Sequence, residues 1–395
     1  MSAKRSTIAI ACLGLAAFGI VLTTLGASLP ALMSRFAIDK AQAGSLLSLL
    51  NFGVLAGSLI FGPIVDRRGY KKLLLLAFAT IIVGLEATAF APSVVFLSAS
   101  VLLIGVTGGL VNGAVNALTA DVSAEQRGAT LTFVGAFFGV GAAGVPLMLA
   151  VLSGTWSHMT ILAAVAPVIL IPLVLTAVTP FPPSKQPHGL PVAEVRRLVR
   201  KPALLVLGLM LFLESGMEST VGGWITTFFG EALNVGADRA PLFLSLFWFG
   251  LMLTRLTLGV VLRQASPIRV LVVSIAVSLV SASLLIVSPN VSTAGVAVFL
   301  LGCGLAATYP VVFGFVGDRY AQLSGTALGL AMAMGLVGGM LLPYIAGVLG
   351  GAHGMRVSLL VVPACLLLQV ALLPNLRRST DRLSPPATRL QDRVS

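Results

Sequence analysis

Apolar residues run along this chain in stretches of about twenty or more, parted by short clusters of Gly, Pro and charge. A stretch of that length crosses the ~30 Å hydrocarbon core of a bilayer as an α-helix, and a helix satisfies its own backbone donors and acceptors there. The pattern predicts spans near 8–33, 41–63, 71–91, 94–120, 127–152 and 158–179. A second six follow near 203–231, 238–264, 267–288, 291–317, 323–350 and 356–375. The fold class expected is an all-α membrane protein of twelve transmembrane helices in two six-helix bundles. The opening run follows Lys4 and Arg5 as a signal peptide would, but it continues to about Met33, which is too long for one.

Composition agrees. Hydrophobic residues make up 57% of the chain and charged residues 10%, with a mean hydropathy of +1.03, too few charges to cover a water-soluble surface. The net charge of +12 invites a nucleic-acid reading until its placement is considered. With a cytoplasmic N-terminus, of the 25 basic residues only Arg35, Lys40, Arg239 and Arg356 fall on the far side, and Arg255 lies within a span. The rest, Arg67, Arg68, Lys71 and Lys72 among them, face the cytoplasm. This is the positive-inside bias of a multi-pass inner (plasma) membrane protein with both termini cytoplasmic. Anionic membrane lipids are the partner such a surface implies, and no nucleic acid is needed.

Cys12, Cys303 and Cys365 all lie in predicted spans and read as small packing residues. His158, His188 and His353 are scattered. No nucleotide loop or nucleophile motif appears, so no cofactor or metal is expected and the chain does not read as an enzyme.

The chain repeats itself. Asp121, Gly128, Pro146 and Gly154 recur as Asp318, Gly325, Pro343 and Gly351, each 197 residues on, and Gly53, Gly62, Gly105 and Gly141 recur as Gly250, Gly259, Gly302 and Gly338. Six spans per half give both halves the same orientation, related by a pseudo-two-fold axis along the membrane normal, with a central cavity between them. The units expected are an N-terminal bundle over 1–179, a cytoplasmic linker over 180–202, a C-terminal bundle over 203–376 and a basic tail over 377–395. The linker stretch Val192 to Arg200 reads either as a plain connector or as a basic face against lipid. A two-bundle chain encloses its own pathway, so a monomer is expected.

Between the second and third spans lies Gly62-Pro63-Ile64-Val65-Asp66-Arg67-Arg68-Gly69-Tyr70-Lys71-Lys72. It resembles the G-x-x-x-D-R-x-G-[RK]-[RK] loop of the major facilitator superfamily, with Tyr70 in the first basic slot. By that resemblance Asp66 and Arg67 would latch the cytoplasmic gate. The segment Phe212-Leu213-Glu214-Ser215-Gly216-Met217-Glu218-Ser219-Thr220-Val221-Gly222-Gly223-Trp224 is similar to that of the fucose/galactose:proton symporter family within that superfamily. So are Thr308-Tyr309-Pro310, Gly338-Gly339-Met340-Leu341-Leu342-Pro343 and the run from Gly109 to Leu118. That family places coupling acids in its fourth and first helices, where this chain has Asn112 and Gly26.

Glu86, Glu214, Glu218 and Arg255 are the ionisable residues well inside predicted spans. A charge in hydrocarbon costs at least roughly 2.5 kcal/mol, so such residues face a cavity or a partner. Glu214 and Glu218 share a helical face one turn apart and are the candidates for proton coupling, with a hydrogen-bonded structural lock as the alternative. Arg255 is expected to pair at the gate, and Glu86 to serve structure. A sugar-like substrate needs amides, hydroxyls and an aromatic face, which Asn51, Asn112, Asn116, Thr226, Thr227, Trp224 and Tyr309 offer. Interhelical hydrogen bonding is their bland alternative. Phe137 and Phe138 beside Gly135, Gly139 and Gly141 read as packing. The function expected is alternating-access transport of a small polar solute, a sugar above all, with protons as possible co-substrate. Facilitated diffusion and proton-coupled drug or metabolite efflux stand as alternatives.

Overall fold

The computed structural model describes residues 3–123, 127–181, 198, 200–320 and 324–381, so most of the expected linker and tail lies outside the described residues. The described chain is helical: α1 (Ala3–Phe36), α2 (Lys40–Ala89), α3 (Val94–Val122), α4 (Arg127–Leu152), α5 (His158–Val165) and α6 (Leu170–Val178) form the first half. The second half holds α7 (Pro202–Leu233), α8 (Ala240–Gln264), α9 (Pro267–Val287), α10 (Val291–Leu305), α11 (Thr308–Arg319), α12 (Ser324–His353), α13 (Met355–Ser358) and α14 (Val361–Asp381).

Among the described residues, eleven helical segments are long and apolar enough to span a membrane, and one of them does so twice. The 50 residues of α2 would reach about 75 Å as a straight rod, more than twice the hydrocarbon thickness. Gly69 breaks the run with φ 77° and ψ 163°, a conformation that glycine alone adopts without strain. The contacts show the hairpin: Gly53 packs on Leu102 and Gly105, Tyr70 bonds Asp121, Gly84 packs on Ile104, and Thr88 bonds Ser100. The chain thus climbs past α3 to its end and returns, which makes twelve crossings.

Two predicted spans are interrupted. Pro167 carries a 3-10 turn (Ala166–Ile169) between α5 and α6. The span near 291–317 breaks at Ala306 and Ala307, because Pro310 has no N–H for the Ala306 carbonyl and crowds it.

The 197-residue repeat reappears in atomic contacts. A side chain at Gly53 would strike the Leu102 carbonyl, and one at Gly250 the Phe299 carbonyl; Gly105 abuts the Leu50 carbonyl and Gly302 that of Phe247. Every residue in the first set maps onto its counterpart by the same offset, so both halves build the same backbone-to-backbone crossing. Close crossings of this kind replace the hydrophobic drive that lipid cannot supply. Helix-end carbonyls follow the repeat too. Arg35 donates to the carbonyls of Ala89 and Ala91, each at 2.8 Å, and Arg356 donates to those of Ile286 and Ser288, exactly one repeat later. The arginines themselves are not repeat partners: position 356 corresponds to Met159, whose sulfur lies 3.1 Å from the Arg35 guanidinium.

The bundles meet from mid-membrane to the face opposite the chain termini. Lys40 pairs with Glu231 at 2.9 Å, Ser48 donates to the Met340 carbonyl, and Ser245 donates to the Ala143 carbonyl at 2.8 Å. Gly26 lies against the Gly222 carbonyl and Gly44 against Tyr344. Toward the terminal face, Gly62, Gly135, Gly259, Gly314, Gly317 and Gly329 have open space where a side chain would stand. The contacts that join the bundles thus gather toward the face opposite the termini.

This packing makes a graded prediction. Gly105→Val and Gly302→Val force a side chain into backbone and each lower stability by about 1–3 kcal/mol, whereas Gly62→Val and Gly259→Val stay within about 0.5 kcal/mol. Thermal unfolding in detergent, followed by tryptophan fluorescence, reads the difference.

Candidate functional site

Three of the four ionisable residues placed inside spans, Glu214, Glu218 and Arg255, converge within the second half, while Glu86 stands half-buried on α2 in the first. Glu214 and Glu218 lie one turn apart on α7. Arg255, in the body of α8, donates from Nη2 to Glu218 Oε1 at 2.8 Å. Its Nε points to the Ala306 carbonyl at a long 3.5 Å, and this is the carbonyl that Pro310 deprives of its helical donor. The helix break between α10 and α11 thereby supplies an acceptor to the cation as well as a bend. Tyr309 follows the break close enough to feel the charges of Glu218 and Arg255, and its ring stands edge-on to Phe313 with centroids 4.6 Å apart.

Exposure separates the two acids. The side chains of Glu218 and Arg255 keep 16% and 27% of their surface, so their pair looks into the space between the bundles. Glu214 is sealed: Gln369 of α14 donates to its Oε2 at 3.2 Å and also to the Met210 carbonyl, and its Oε1 has no partner among the described residues. Above the pair, toward the face opposite the termini, Phe18, Phe138 and Trp248 stack edge to face or tilted across the bundle boundary, at 5.6 and 5.5 Å. Phe138 packs there as its neighbouring glycines imply.

The expected site residues are placed as follows in this conformation. Arg255, expected to pair at the gate, pairs with Glu218 within the second half. Trp224 was expected to line the substrate site, but it is wholly buried, donates from Nε1 to the Pro343 carbonyl at 2.8 Å and packs on Gly347 at the face where the bundles meet. Thr226 and Thr227 are buried beside it, their hydroxyls without partners. Asn112 and Asn116 are half-buried on α3 and bond each other, Asn116 Nδ2 to Asn112 Oδ1 at 3.0 Å, with no hydrogen bond to the second half among the described residues. Asn51 does reach the boundary, on a helix-bonded amide. Asp66 is half-buried and Arg67 exposed, and no ion pair ties either to the other bundle among the described residues, in keeping with bundle contacts that gather toward the opposite face. Tyr70, in the family loop's basic slot, donates to Asp121 at 2.7 Å and anchors the loop to the end of α3.

Gly26 explains a departure noted in the sequence. A Cβ there would fall on the Gly222 carbonyl of α7, so an acid at this position of α1 has no room in this conformation.

A profile of the Major Facilitator Superfamily matches residues 11–321 and 207–392. The chain belongs to the Major Facilitator Superfamily. It is a multi-pass membrane transporter of small solutes and not an enzyme. Similar members include the gentisate transporter of Corynebacterium glutamicum, 25% identical over 352 residues that cover 84% of this chain and 78% of that protein. The 3-(3-hydroxy-phenyl)propionate transporter of Escherichia coli is 27% identical over 340 residues, 83% of each chain. Among solved structures, a D-xylose-proton symporter superposes with a TM-score of 0.77 at 16% identity, covering 93% of this chain and 97% of that one, a likeness of fold. The superfamily implied by the loop therefore stands, whereas the narrower likeness to fucose/galactose symporters is not confirmed: these sequence relatives are named for aromatic acids.

Reading the sequence missed the Lys40–Glu231 bridge and the Gln369 contact. A lone Lys at one helix start and a Glu at the end of another carried the first signal. Gln369, amid Leu and Val, carried the second.

The ion pair is open to a double-variant test. Glu218→Leu or Arg255→Met alone strands a charge in the interior and lowers stability by about 1–3 kcal/mol, below the full cost of a sealed pair because both groups touch the cavity. The double variant regains most of that loss in thermal unfolding.

Proposed function

We propose that this superfamily member is a proton-coupled symporter of an aromatic carboxylate, working in the inner membrane with both termini cytoplasmic. The observation that carries the reading is the Glu218–Arg255 pair, partly exposed in the space between the bundles beneath an aromatic cluster. The sequence relatives named for gentisate and a hydroxyphenyl propionate point to the same substrate class.

Charge bookkeeping in a low dielectric supplies the coupling. The empty site is neutral, Arg255 cationic and Glu218 anionic. When a proton binds Glu218, Arg255 loses its partner, and a substrate carboxylate takes the vacated place, which leaves the site neutral again. A proton alone strands the guanidinium and a carboxylate alone adds an uncompensated anion, and either costs several kcal/mol in the interior. The two enter together or not at all. Transport is electroneutral and needs no acid on α1 or α3, in accord with Gly26 and Asn112.

In this reading the structure is open to the cytoplasm, with Lys40–Glu231 and the packing of Trp224 closing the outer face. Asp66 and Arg67 serve the inner gate when it shuts. Glu214, sealed behind Glu218, holds α7 to α14 through Gln369. The half-buried amides of Asn112 and Asn116 favour one competing reading, a neutral sugar bound without disturbing the ion pair.

Proteoliposomes decide between them. With an imposed inward proton gradient at near-neutral pH, labelled gentisate accumulates above its level in protein-free vesicles, and Glu218→Gln or Arg255→Gln abolishes the accumulation. Uptake of D-xylose instead, unaffected by Glu218→Gln, would overturn the proposal.

A further inference from the structure

Hydroxyls inside this protein's helices usually bond back to their own backbone one turn earlier, as Thr23, Ser28, Thr88, Thr107, Thr119 and Thr220 all do. That habit satisfies the group where no water competes. Ser215 and Ser219 depart from it. Neither hydroxyl has a hydrogen-bond partner among the described residues, and both are only half-buried. They share a face of α7 one turn apart, and both turn toward Gly339 of α12.

Asn51 turns to the same spot from α2 of the first half. Its Nδ2 is bound to the Leu47 carbonyl, which leaves Oδ1 free to accept. The position a Cβ would take on Gly339 lies 2.9 Å from Ser219 Oγ, 3.1 Å from Asn51 Oδ1 and 3.2 Å from Ser215 Oγ. Pro343, four residues on, has no N–H to offer the Gly339 carbonyl, so another acceptor is left over beside them. Ser48 closes the same boundary with its bond to the Met340 carbonyl. The two serines keep part of their surface open, so groups with unused hydrogen-bonding capacity converge beside one buried glycine, where a ligand group that both donates and accepts finds partners.

We infer that Ser215, Ser219 and Asn51, arrayed over Gly339, form a subsite for a hydroxyl group of the transported solute. The inference rests on the carboxylate reading above and adds substrate specificity to it. Ser215 is three residues from Glu218, about 4.5 Å of helix rise, and Ser219 is its neighbour. The subsite thus adjoins the Glu218–Arg255 pair along α7, and the ligand that suits both is an aromatic carboxylate carrying a ring hydroxyl. Because Asn51 comes from the first half and the serines from the second, the bound hydroxyl also ties the two bundles together.

The test compares gentisate with benzoate, which lacks the hydroxyls, in equilibrium binding to the purified full-length protein. Wild type binds gentisate at least about tenfold more tightly. The Ser215→Ala/Ser219→Ala variant loses that preference while its benzoate affinity stays unchanged. Gly339→Ala, whose methyl group would stand 2.9–3.2 Å from the three oxygens and displace them, does the same and serves where the double variant does not fold. A variant that weakens both probes equally, or neither, overturns the subsite and leaves the carboxylate reading standing. Wild type that binds neither probe overturns both.

Discussion

An arginine inside a bilayer has to be answered by an anion, and much of this structure is arranged around that requirement. Arg255 sits in the body of α8, and its answer is Glu218, 37 residues earlier on α7. The partnership fixes how those helices face each other, recruits the carbonyl freed by Pro310, and leaves the pair partly open to the space between the bundles. A fully sealed pair would be a strut. A pair with 16% and 27% of its side-chain surface exposed can exchange one partner for another. That difference in access is also what separates Glu218 from Glu214, which is chemically identical and one turn away.

The scaffold around the pair is built from bare backbone. At the crossings of Gly53 with Leu102 and Gly250 with Phe299, and of Gly105 with Leu50 and Gly302 with Phe247, helices touch where any side chain would intrude. Such contacts make each half a rigid body. The boundary between halves uses bare backbone too, at Gly26 with Gly222, Gly44 with Tyr344 and Gly347 with Lys40, and adds one ion pair, hydroxyl-to-carbonyl bonds and an aromatic edge. Two similar bundles meeting around a central site are the arrangement that rocking motion requires.

Much of the fold was legible in the sequence, because lipid imposes length and apolarity on each span and the repeat offset is written in Gly, Asp and Pro. The loop expected between the second and third spans turns at Gly69, whereas the span expected near 291–317 breaks before Pro310, and each follows from a single residue's backbone chemistry. The site was legible in part. Glu214 and Glu218 announced themselves as acids in apolar runs, but hydropathy says nothing about which neighbour a face meets. A place in the cavity was accordingly expected for Trp224. Trp224 shows the limit clearly: an indole suits a sugar face and a sealed interface equally well, and only its bond to the Pro343 carbonyl tells them apart. Ser215 and Ser219 drew no notice, since serine in a membrane helix ordinarily bonds to its own backbone.

The central claim is that a proton and a carboxylate replace the Glu218–Arg255 interaction together. Calorimetric binding of gentisate to the detergent-solubilised protein, repeated in buffers of different ionisation enthalpy, counts protons directly. The account predicts close to one proton taken up per gentisate bound by wild type and none by Glu218→Gln. Gentisate binding to wild type with no proton uptake would contradict it.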